Sequence, residues 1–378
     1  MRVLSVVGTR PQLIKAAALS PAIRKTHHET LVDTGQHWDD ELAGAFFREL
    51  DLPRPDHILG VGGGSHAEQT AGMLRALEPI ARTVAPDAVL VYGDTNSTLA
   101  GALVAAKLGL PVAHIEAGLR SHDRAMPEEV NRLVTDHLSR WLFAPTRTAV
   151  QNLAAEGMHD GVHLVGDLMR DLAAWIAPTV VDPAILDPIG ERLRAAGASV
   201  DLRGGRYVFA TVHRQANRTP EALARLASVL AEVTAGGLAV VFAVHPGTRT
   251  ALADAGVALP DGVALVDPFG YRTSLALQLH SAAVVTDSGG IQREANWLGV
   301  PCLVLRERTE WVEALATAGG RVTLVGLDPD RTRDAIRGLG PLDDAAARVR
   351  SRVEGLDLRP DGAATAIAAI LGGDATRG

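Results

Sequence analysis

The sequence has little cysteine and no long apolar run. Its 378 residues include a single cysteine, Cys302, which excludes an intramolecular disulfide and a Cys-x-x-Cys metal site. Cys302 lies in the apolar run VPCLVL, which favours a buried, inert thiol. No apolar run approaches the length of a membrane span, and the apolar part of the N-terminus is too short for a signal peptide. We therefore expect a cytoplasmic protein that does not act at a membrane.

An excess of positive charge is also lacking. The chain has 37 lysines and arginines against 44 aspartates and glutamates, a formal net charge of −7. This balance argues against a general nucleic-acid binder, which needs a basic face, but it leaves room for a local basic pocket that binds an anion. With 47% hydrophobic residues, the chain is long enough for two ordinary domains with well-buried cores.

Short apolar, β-branched segments alternate with longer segments rich in alanine, leucine and arginine. RVLSVVG precedes PQLIKAAALSPAIRK, and AVLVYG precedes STLAGALVAAKLG. This alternation predicts parallel strands covered on both faces by helices. The pattern restarts at YVFATVH, after a proline-containing stretch at 170–204 that we interpret as a hinge region. The predicted fold class is α/β, with two Rossmann-like, doubly wound parallel-sheet domains facing a central cleft.

Polar residues follow the predicted strands of the first half, where ligands of such sheets bind. GTRPQLIK places Arg10 and Lys15 near a helix start, which suits an anionic group, although a solvated basic helix is the alternative. DTGQHWDD offers Gln36 and His37, or an ordinary capped turn. No G-x-G-x-x-G fingerprint is present at these turns, so binding of a dinucleotide such as NAD is weakly supported.

Two further segments of the first half carry carboxylates. GDTNSTLAGAL places Asp94 at a strand end, and Ser97 or Thr98 is expected to cap the next helix, which would leave the carboxylate of Asp94 free. HIEAGLRSHDRAMPEEVNR contains Glu116 directly after a strand and predicts a helix from about Glu128. The helix dipole accounts for Glu128 and its neighbour Glu129 but not for Glu116.

The second half has its own strand-end motifs. TVHRQANR places His213 and Arg214 after its first strand. TDSGGIQREANWLGVP contains Ser288, Gly289 and Gly290 at a helix start, where small residues let phosphate oxygens approach backbone N–H groups. A plain glycine-rich turn is the alternative. Glu294, further along this helix, suits sugar hydroxyls.

Taken in order, the motifs GTRPxxIK, TGQH, GDTxSTLAG, HIEAGLR, MPEEVNR, HR and TDSGGIQREA resemble the non-hydrolysing UDP-N-acetylglucosamine 2-epimerases from the first strand to about residue 325. This resemblance implies a GT-B fold whose last helix crosses back to the first domain. The expected domains are then residues 1–169 with 358–378 and residues 170–357. The resemblance also implies a homodimer that needs no cofactor and no metal.

The implied reaction inverts C2 of a UDP-2-acetamido sugar, converting UDP-N-acetylglucosamine to UDP-N-acetylmannosamine by UDP elimination and re-addition through a glycal. The family roles that match motif by motif give Asp94, Glu116, Glu128 and His213 as catalytic residues. The implied substrate-binding residues are Arg10, Lys15, Gln36, Arg132, Phe269, Ser288, Gly289, Gly290 and Glu294.

This chemistry agrees with the residue types. A sugar C2 proton is barely acidic, so it leaves only as the C1–O bond breaks, which needs a base near C2 and stabilisation of positive charge near C1. The leaving diphosphate needs cations and backbone donors. Carboxylates crowded together are expected to have some raised pKa values, and which of them takes the proton is left open.

The chain departs from the family pattern at several positions. Gln12 stands where many members have glutamate, Ala216 replaces the glutamate of HRxE, and Trp311 replaces an arginine. GDTNSTLAGAL, MPEEVNR and TEWVE are closer to the branch that acts on UDP-2,3-diacetamido-glucuronic acid, for whose carboxylate Arg124 or Arg308 would supply a cation. That activity is the first alternative, and a GT-B glycosyltransferase is the second.

Overall fold

The structure is a computed structural model that describes residues 1–36, 49–355 and 362–374. It divides into two compact units, which we call the N-terminal unit (Met1–Leu172 with Arg359–Gly378) and the C-terminal unit (Ala173–Leu358). His37, one of the residues singled out in the sequence, lies outside the described residues.

The N-terminal unit is built on seven parallel strands in the order β3-β2-β1-β4-β5-β6-β7. The strands are β1 (Arg2–Val7), β2 (His28–Asp33), β3 (His57–Ile58), β4 (Ala88–Tyr92), β5 (Val112–Ile115), β6 (Trp141–Ala144) and β7 (Val162–Leu164). The described helices are α1 (Arg10–Thr26), α2 (His66–Val84), α3 (Asn96–Lys107), α4 (Pro127–Leu138), α5 (Arg147–Ala155), α6 (Leu168–Ile176), which continues into the C-terminal unit, and α14 (Ala363–Asp374).

The central strands of this sheet are buried on both faces. Every residue of β4, β5 and β6 is buried, as is β1 after its first residue. This is why these segments read as continuous apolar runs rather than as alternating patterns. Helix α2 covers one region of the sheet with Met73 and Leu77, both almost completely buried.

The C-terminal unit repeats the plan with six parallel strands in the order β10-β9-β8-β11-β12-β13. The strands are β8 (Tyr207–Val212), β9 (Ala239–Val244), β10 (Val263–Val266), β11 (Ala283–Thr286), β12 (Cys302–Val304) and β13 (Val322–Leu324). The described helices are α7 (Asp187–Ala195), α8 (Pro220–Ala235), α9 (Pro246–Asp254), α10 (Tyr271–His280), α11 (Gly289–Trp297), α12 (Pro329–Arg337) and α13 (Ala345–Glu354). Two Rossmann-like parallel sheets confirm the predicted fold class.

The proline-containing stretch at 170–204 is largely helical. After α6 come two 3₁₀ turns, Ala177–Val180 and Pro183–Leu186, and then α7. The prolines fall in the first turns of these segments, where a missing N–H costs nothing because no intrahelical acceptor is available to it. The prolines that suggested a hinge therefore begin helical segments.

The last described helix, α14, packs against α1 in the N-terminal unit. The carboxylate of Asp171 accepts the backbone N–H groups of Ala363 and Ala364 at the start of α14. The imidazole Nε2 of His27 lies 3.0 Å from the carbonyl oxygen of Ala368 further along. These contacts attach the C-terminal helix to the first half of the chain.

Within the described ranges, no single helix is long and apolar enough to cross a membrane, and one bent pair, Leu168–Val180 with Pro183–Ala195 at 96°, passes on length and composition alone.

Candidate active site

The strand order of the N-terminal unit reverses between β1 and β4, so the loops after these strands meet at the carboxyl edge of the sheet. Gly8, in the loop after β1, lies so close to its neighbours that an added Cβ would overlap the hydroxyl oxygens of Thr34 and Ser97. The close approach of these loops therefore requires glycine at position 8.

Gln12 joins the start of α1 to the end of β4. Its Oε1 accepts the backbone N–H of Thr9 at 3.1 Å, while its Nε2 donates to the carbonyl oxygen of Tyr92 at 2.7 Å and lies 2.9 Å from Thr95 Oγ1. The glutamine at this departure from the family pattern is thus a buried structural link. Helix α1 begins at Arg10, which is half-buried, and has proline in its first turn as predicted.

Lys15 and Glu116 form a buried ion pair, with side chains only 6% and 9% exposed. Gly93 lies against this pair: a Cβ there would be 3.0 Å from Lys15 Nζ and 3.2 Å from Glu116 Oε2, and its φ is +65°. The structure therefore brings together a predicted cation in the first half of α1 and a predicted carboxylate directly after β5. The charge of Lys15 is matched within the protein itself.

Glu116 has an unusual backbone conformation for a residue with a side chain. Its φ is +73°, in the left-handed region that favours glycine. Its N–H donates to the carbonyl oxygen of Phe143 at 3.0 Å, and its carboxylate is held by Lys15. Backbone strain of this kind costs about 1–3 kcal/mol and is concentrated at functional sites.

Asp94 is paired with Arg132 of α4, and its side chain is 31% exposed. The prediction that Ser97 or Thr98 caps α3 is wrong. Thr95 is the cap, because its Oγ1 accepts the N–H of Thr98 at 3.4 Å. As predicted, Asp94 does not cap the helix, but it is not free either, because it accepts from Arg132.

Glu129 is a site residue that the sequence reasoning missed. Its carboxylate is almost completely buried and accepts from Arg132 Nη1 at 2.7 Å and from the backbone N–H groups of Ser121 and His122, each at 2.9 Å. Burial would raise its pKa, but these hydrogen bonds and the charge of Arg132 hold that pKa below its ordinary value. The i,i+3 spacing of Glu129 and Arg132 in MPEEVNR was the available signal.

Glu128 differs from the other predicted carboxylates. Helix α4 begins at Pro127, which confirms the predicted helix start and places Glu128 in its first turn. Glu128 is partly exposed and has no hydrogen-bond or ion-pair partner among the described residues. Asp94 and Glu116, in contrast, each have a cation of their own, Arg132 and Lys15.

Gln36, in the loop after β2, contacts the start of α3 through its side chain. Its Oε1 accepts the backbone N–H of Ser97 at 3.1 Å and the Ser97 hydroxyl at 2.7 Å. The carbonyl end of this predicted substrate-binding side chain is therefore used to hold the loop after β2 against α3.

In the C-terminal unit, Asp287 organises the loop after β8. This fully buried carboxylate accepts the N–H groups of His213 and Arg214 at 3.1 and 2.9 Å, and the Nδ2 of Asn217 at 2.9 Å. Its Oδ1 also lies 3.1 Å from His213 Nδ1, and the imidazole is 46% exposed. Burial would raise the pKa of Asp287, but the hydrogen bonds and the neighbouring histidine lower that pKa to about 2.

Sequence reasoning did not select Asp287, although it lies inside the TDSGG motif. The motif does open a helix as predicted: Ser288 is the N-cap of α11, and Gly289 and Gly290 are its first residues, all partly exposed. The Ser288 hydroxyl accepts the N–H of Ile291 at 3.4 Å, and the Ser288 N–H donates to Thr286 Oγ1 at 3.0 Å. The remaining N–H groups at this helix start favour an anion.

Glu294 and Phe269 occupy different surroundings. Glu294 is 3% exposed, and its carboxylate accepts from Gln278 Nε2 at 2.7 Å. Phe269 is partly exposed in the loop before α10. Trp311, which replaces the family's arginine, is buried and stacks on the guanidinium of Arg293, whose Cζ is 3.9 Å from the ring centroid.

Two further observations concern cysteine and metals. Cys302 is buried, as predicted, and burial raises the pKa of its thiol, which is typical of an unreactive cysteine. In the part of the chain that the structure describes, no group of three or more histidine, cysteine, aspartate or glutamate side chains is arranged to hold a metal ion.

Comparison with known proteins gives concordant results. The family described as "UDP-N-acetylglucosamine 2-epimerase" matches residues 22–371. The chain is 40% identical to a "UDP-N-acetylglucosamine 2-epimerase homolog" from Methanococcus maripaludis, over 91% of this chain and 94% of the relative. It is 42% identical to the UDP-2,3-diacetamido-2,3-dideoxy-D-glucuronate 2-epimerase of Pseudomonas aeruginosa, over 89% and 92%.

Solved structures show the same relationship. The crystal structure of Methanocaldococcus jannaschii UDP-GlcNAc 2-epimerase in complex with UDP-GlcNAc and UDP is 32% identical, with a TM-score of 0.81 over 98% of this chain and 99% of that one. The two parallel-sheet units thus form a Rossmann-like fold of the GT-B type. The family match, the curated relatives and the fold agree with the strand-end motifs, and the chain belongs to the UDP-N-acetylglucosamine 2-epimerase family.

Proposed function

We propose that this chain interconverts UDP-N-acetylglucosamine and UDP-N-acetylmannosamine by inverting C2. The observation that carries the proposal is the arrangement of three carboxylates in a family member: Asp94 and Glu116 are each fixed by a cation, and Glu128 has no partner among the described residues. A metal or redox cofactor is not part of the proposed reaction.

In the proposed reaction, a carboxylate removes the C2 proton while the C1–O bond breaks. The C2–H electrons form the C1=C2 double bond of a glycal, and the C1–O electrons leave with UDP. Protonation of C2 on the opposite face and re-addition of UDP to C1 complete the inversion. The carboxylates of Asp94, Glu116 and Glu128 are the proposed groups for proton transfer at C2 and for stabilising positive charge near C1.

The nucleotide is proposed to interact with the motif residues predicted from the sequence. His213 and the helix start at Ser288, Gly289 and Gly290 offer donors for a diphosphate, and the hydrogen-bonded carboxylate of Asp287 keeps the loop of His213 in place. The other proposed substrate contacts are Arg10, Lys15, Gln36, Arg132, Phe269 and Glu294.

A second candidate substrate is UDP-2,3-diacetamido-glucuronic acid. A relative named as the 2-epimerase of this sugar is 42% identical to the chain, which favours this candidate. The sugar of this substrate has an additional carboxylate, which needs a cation. Arg124 and Arg308 are both exposed, and neither has a hydrogen-bond or ion-pair partner among the described residues. The same C2 chemistry would serve either sugar.

The test is to incubate the protein separately with each UDP-sugar and to follow formation of the C2 epimer by NMR. The proposal expects conversion of UDP-N-acetylglucosamine. Conversion of the diacetamido-uronate alone would support the second candidate, and Arg124→Gln and Arg308→Gln would then identify the cation through a raised KM. Conversion of neither sugar would contradict epimerase activity on both.

The assembly and domain limits are also proposals. We propose a homodimer, as the family resemblance implies, and a cytoplasmic location. The proposed domains are residues 1–169 with 358–378 and residues 170–357. Light scattering would show twice the mass of the chain if the dimer forms, and the mass of one chain would contradict it.

A further inference from the structure

A chain of buried polar side chains lies behind the strand ends that carry Asp94 and Glu116. Its centre is His114 of β5, whose side chain has no exposed surface. His114 Nδ1 is 2.7 Å from a carboxylate oxygen of Asp136 on α4, and His114 Nε2 is 2.7 Å from the carbonyl oxygen of Gly93. The two ring nitrogens therefore both face oxygen acceptors at hydrogen-bond distance.

Each of these two contacts calls for an N–H donor on the ring, because each partner is an oxygen acceptor. A neutral imidazole has one N–H donor, whereas an imidazolium has two. The Asp136 carboxylate is ionised, because it also accepts from Arg120 Nη1 at 2.7 Å and from the Gly118 N–H at 3.1 Å. Burial would raise the pKa of Asp136, but His114 and Arg120 hold that pKa below its ordinary value.

The charges of the cluster also favour hydrogen on both ring nitrogens of His114, which makes the ring an imidazolium. Arg120 also forms a two-pronged ion pair with Glu156, with both nitrogen–oxygen distances at 2.7 Å. One arginine faces two carboxylates, so a neutral His114 would leave the cluster with one uncompensated negative charge, part of it fully buried. A charged His114 balances it.

Gly93 is the point at which this cluster meets the candidate site. Its carbonyl oxygen accepts from His114, and its N–H donates to the carbonyl oxygen of Ile115 at 2.9 Å. Gly93 precedes Asp94 in sequence, and it lies against the Lys15–Glu116 ion pair. Both polar groups of the Gly93 backbone are therefore fixed. This sets the position of the turn that carries Asp94 relative to the end of β5, which Glu116 directly follows.

We propose that His114 is a positioning residue, held as an imidazolium between Asp136 and the Gly93 carbonyl, that sets the relative placement of Asp94 and Glu116. This inference rests on the proposed function of those two carboxylates. It predicts that the contact from Nε2 to Gly93 matters for turnover, whereas the contact from Nδ1 to Asp136 matters for stability.

Two amide substitutions separate these contacts. Glutamine places its NH2 group near the position of Nε2, so His114→Gln keeps a donor for Gly93 and loses the donor to Asp136. Asparagine places its NH2 group near the position of Nδ1, so His114→Asn does the reverse. For each variant, kcat and KM for the converted UDP-sugar and the midpoint of urea unfolding would be measured beside the wild type.

The proposal expects stability and turnover to rank the variants in opposite orders. His114→Asn should be the more stable of the two but lose about 100-fold in kcat at unchanged KM, as expected when catalytic groups are displaced by about 1 Å. His114→Gln should be less stable but lose no more than about 10-fold in kcat, a smaller loss than displaced groups give. If kcat follows stability, so that His114→Asn is also the more active, His114 is merely structural and the proposal is overturned.

The protonation state is measured independently of turnover. With ¹⁵N-labelled histidine at pH 7.5, the His114 resonances, assigned by their loss in His114→Gln, should show two protonated ring nitrogens. A neutral ring would overturn the proposal whatever the activity. Failure of the wild type to convert either UDP-sugar would count against the proposed function, whereas an active wild type with the reversed variant order counts against positioning alone.

Discussion

At the scale of single residues, the three predicted carboxylates differ in what holds them. Asp94 and Glu116 are bound to Arg132 and Lys15, whereas Glu128 stands at the start of α4 without a partner in the described part of the chain. Removing the charge of Glu116 would leave a buried lysine uncompensated and would cost about 3–5 kcal/mol of stability. Glu128 is therefore the residue at which catalysis can be tested without disturbing the fold.

We predict that Glu128→Gln lowers kcat by about 10²–10⁴-fold, the usual contribution of an acid–base residue. The midpoint of thermal unfolding should stay close to that of the wild type, because no ion pair is lost. Exposed Glu191 on α7 gives a matched control, Glu191→Gln, which should keep full activity. Near-normal epimerisation by Glu128→Gln would remove Glu128 from the catalytic residues.

Asp287 gives a prediction about pH. The pKa of its carboxyl is lowered from 3.8 to about 2, so the folded state favours the ionised form and gains about 2 kcal/mol from it. This contribution is complete above about pH 4 and is lost as the pH falls toward 2. The difference in unfolding free energy between wild type and Asp287→Asn should therefore narrow from pH 6 to pH 3. A difference that stays constant over this range would contradict the ionised, hydrogen-bonded state.

Some site residues could be predicted from the sequence and others could not. Residues directly after apolar runs, such as Asp94, Glu116 and His213, are visible because the strand ends are visible. Glu129 and Asp287 were missed because their importance lies in buried hydrogen bonds to backbone groups. In the case of Asp287 the partner His213 is 74 positions away, brought close only by the pairing of β8 with β11.

At the scale of elements, the loops after β1, β2 and β4 meet through small side chains. Their contact depends on Gly8, since any Cβ there overlaps Thr34 and Ser97. The hydroxyls of Thr34 and Ser97 are hydrogen-bonded to each other at 2.8 Å, so a Cβ at position 8 would also disturb this contact. The positions of Arg10 and Asp94 are therefore coupled to the absence of a side chain at position 8.

We predict that Gly8→Ala destabilises the protein by about 1–3 kcal/mol, the usual cost of forcing an extra carbon into a packed interior, and lowers epimerase activity at the same time. Gly340, which has no atom within 4 Å of an added Cβ, gives the control Gly340→Ala, which should change neither property. Urea unfolding and epimer formation measure the two effects. Equal behaviour of the two variants would show that the loops do not need this close approach.

The elements themselves were largely predictable. Long apolar segments such as β4 and β8 were identified because buried parallel strands are apolar throughout. The two-residue β3 and the three-residue β13 were not singled out, because such short strands carry no pattern of their own. The cap of α3 was assigned to the wrong residue because neighbouring hydroxyl residues compete for that role, and only the backbone geometry decides.

At the scale of the whole molecule, two parallel-sheet units and a family match over residues 22–371 support a nucleotide-sugar epimerase. Composition and strand pattern were enough to predict the two sheets. Family membership was visible because the motifs occur in a fixed order, which no single motif would have established. The choice of sugar is not determined by these features, because both named activities use the same C2 chemistry.

Exchange at C2 in D₂O tests the proposed epimerisation most directly. The protein is incubated with UDP-N-acetylglucosamine in D₂O, and the sugar is followed by NMR. We predict that deuterium replaces the C2 proton in both epimers and that the sugar is bonded to UDP at the end of the reaction. The absence of deuterium at C2 of this sugar, or the release of free sugar, would contradict the prediction.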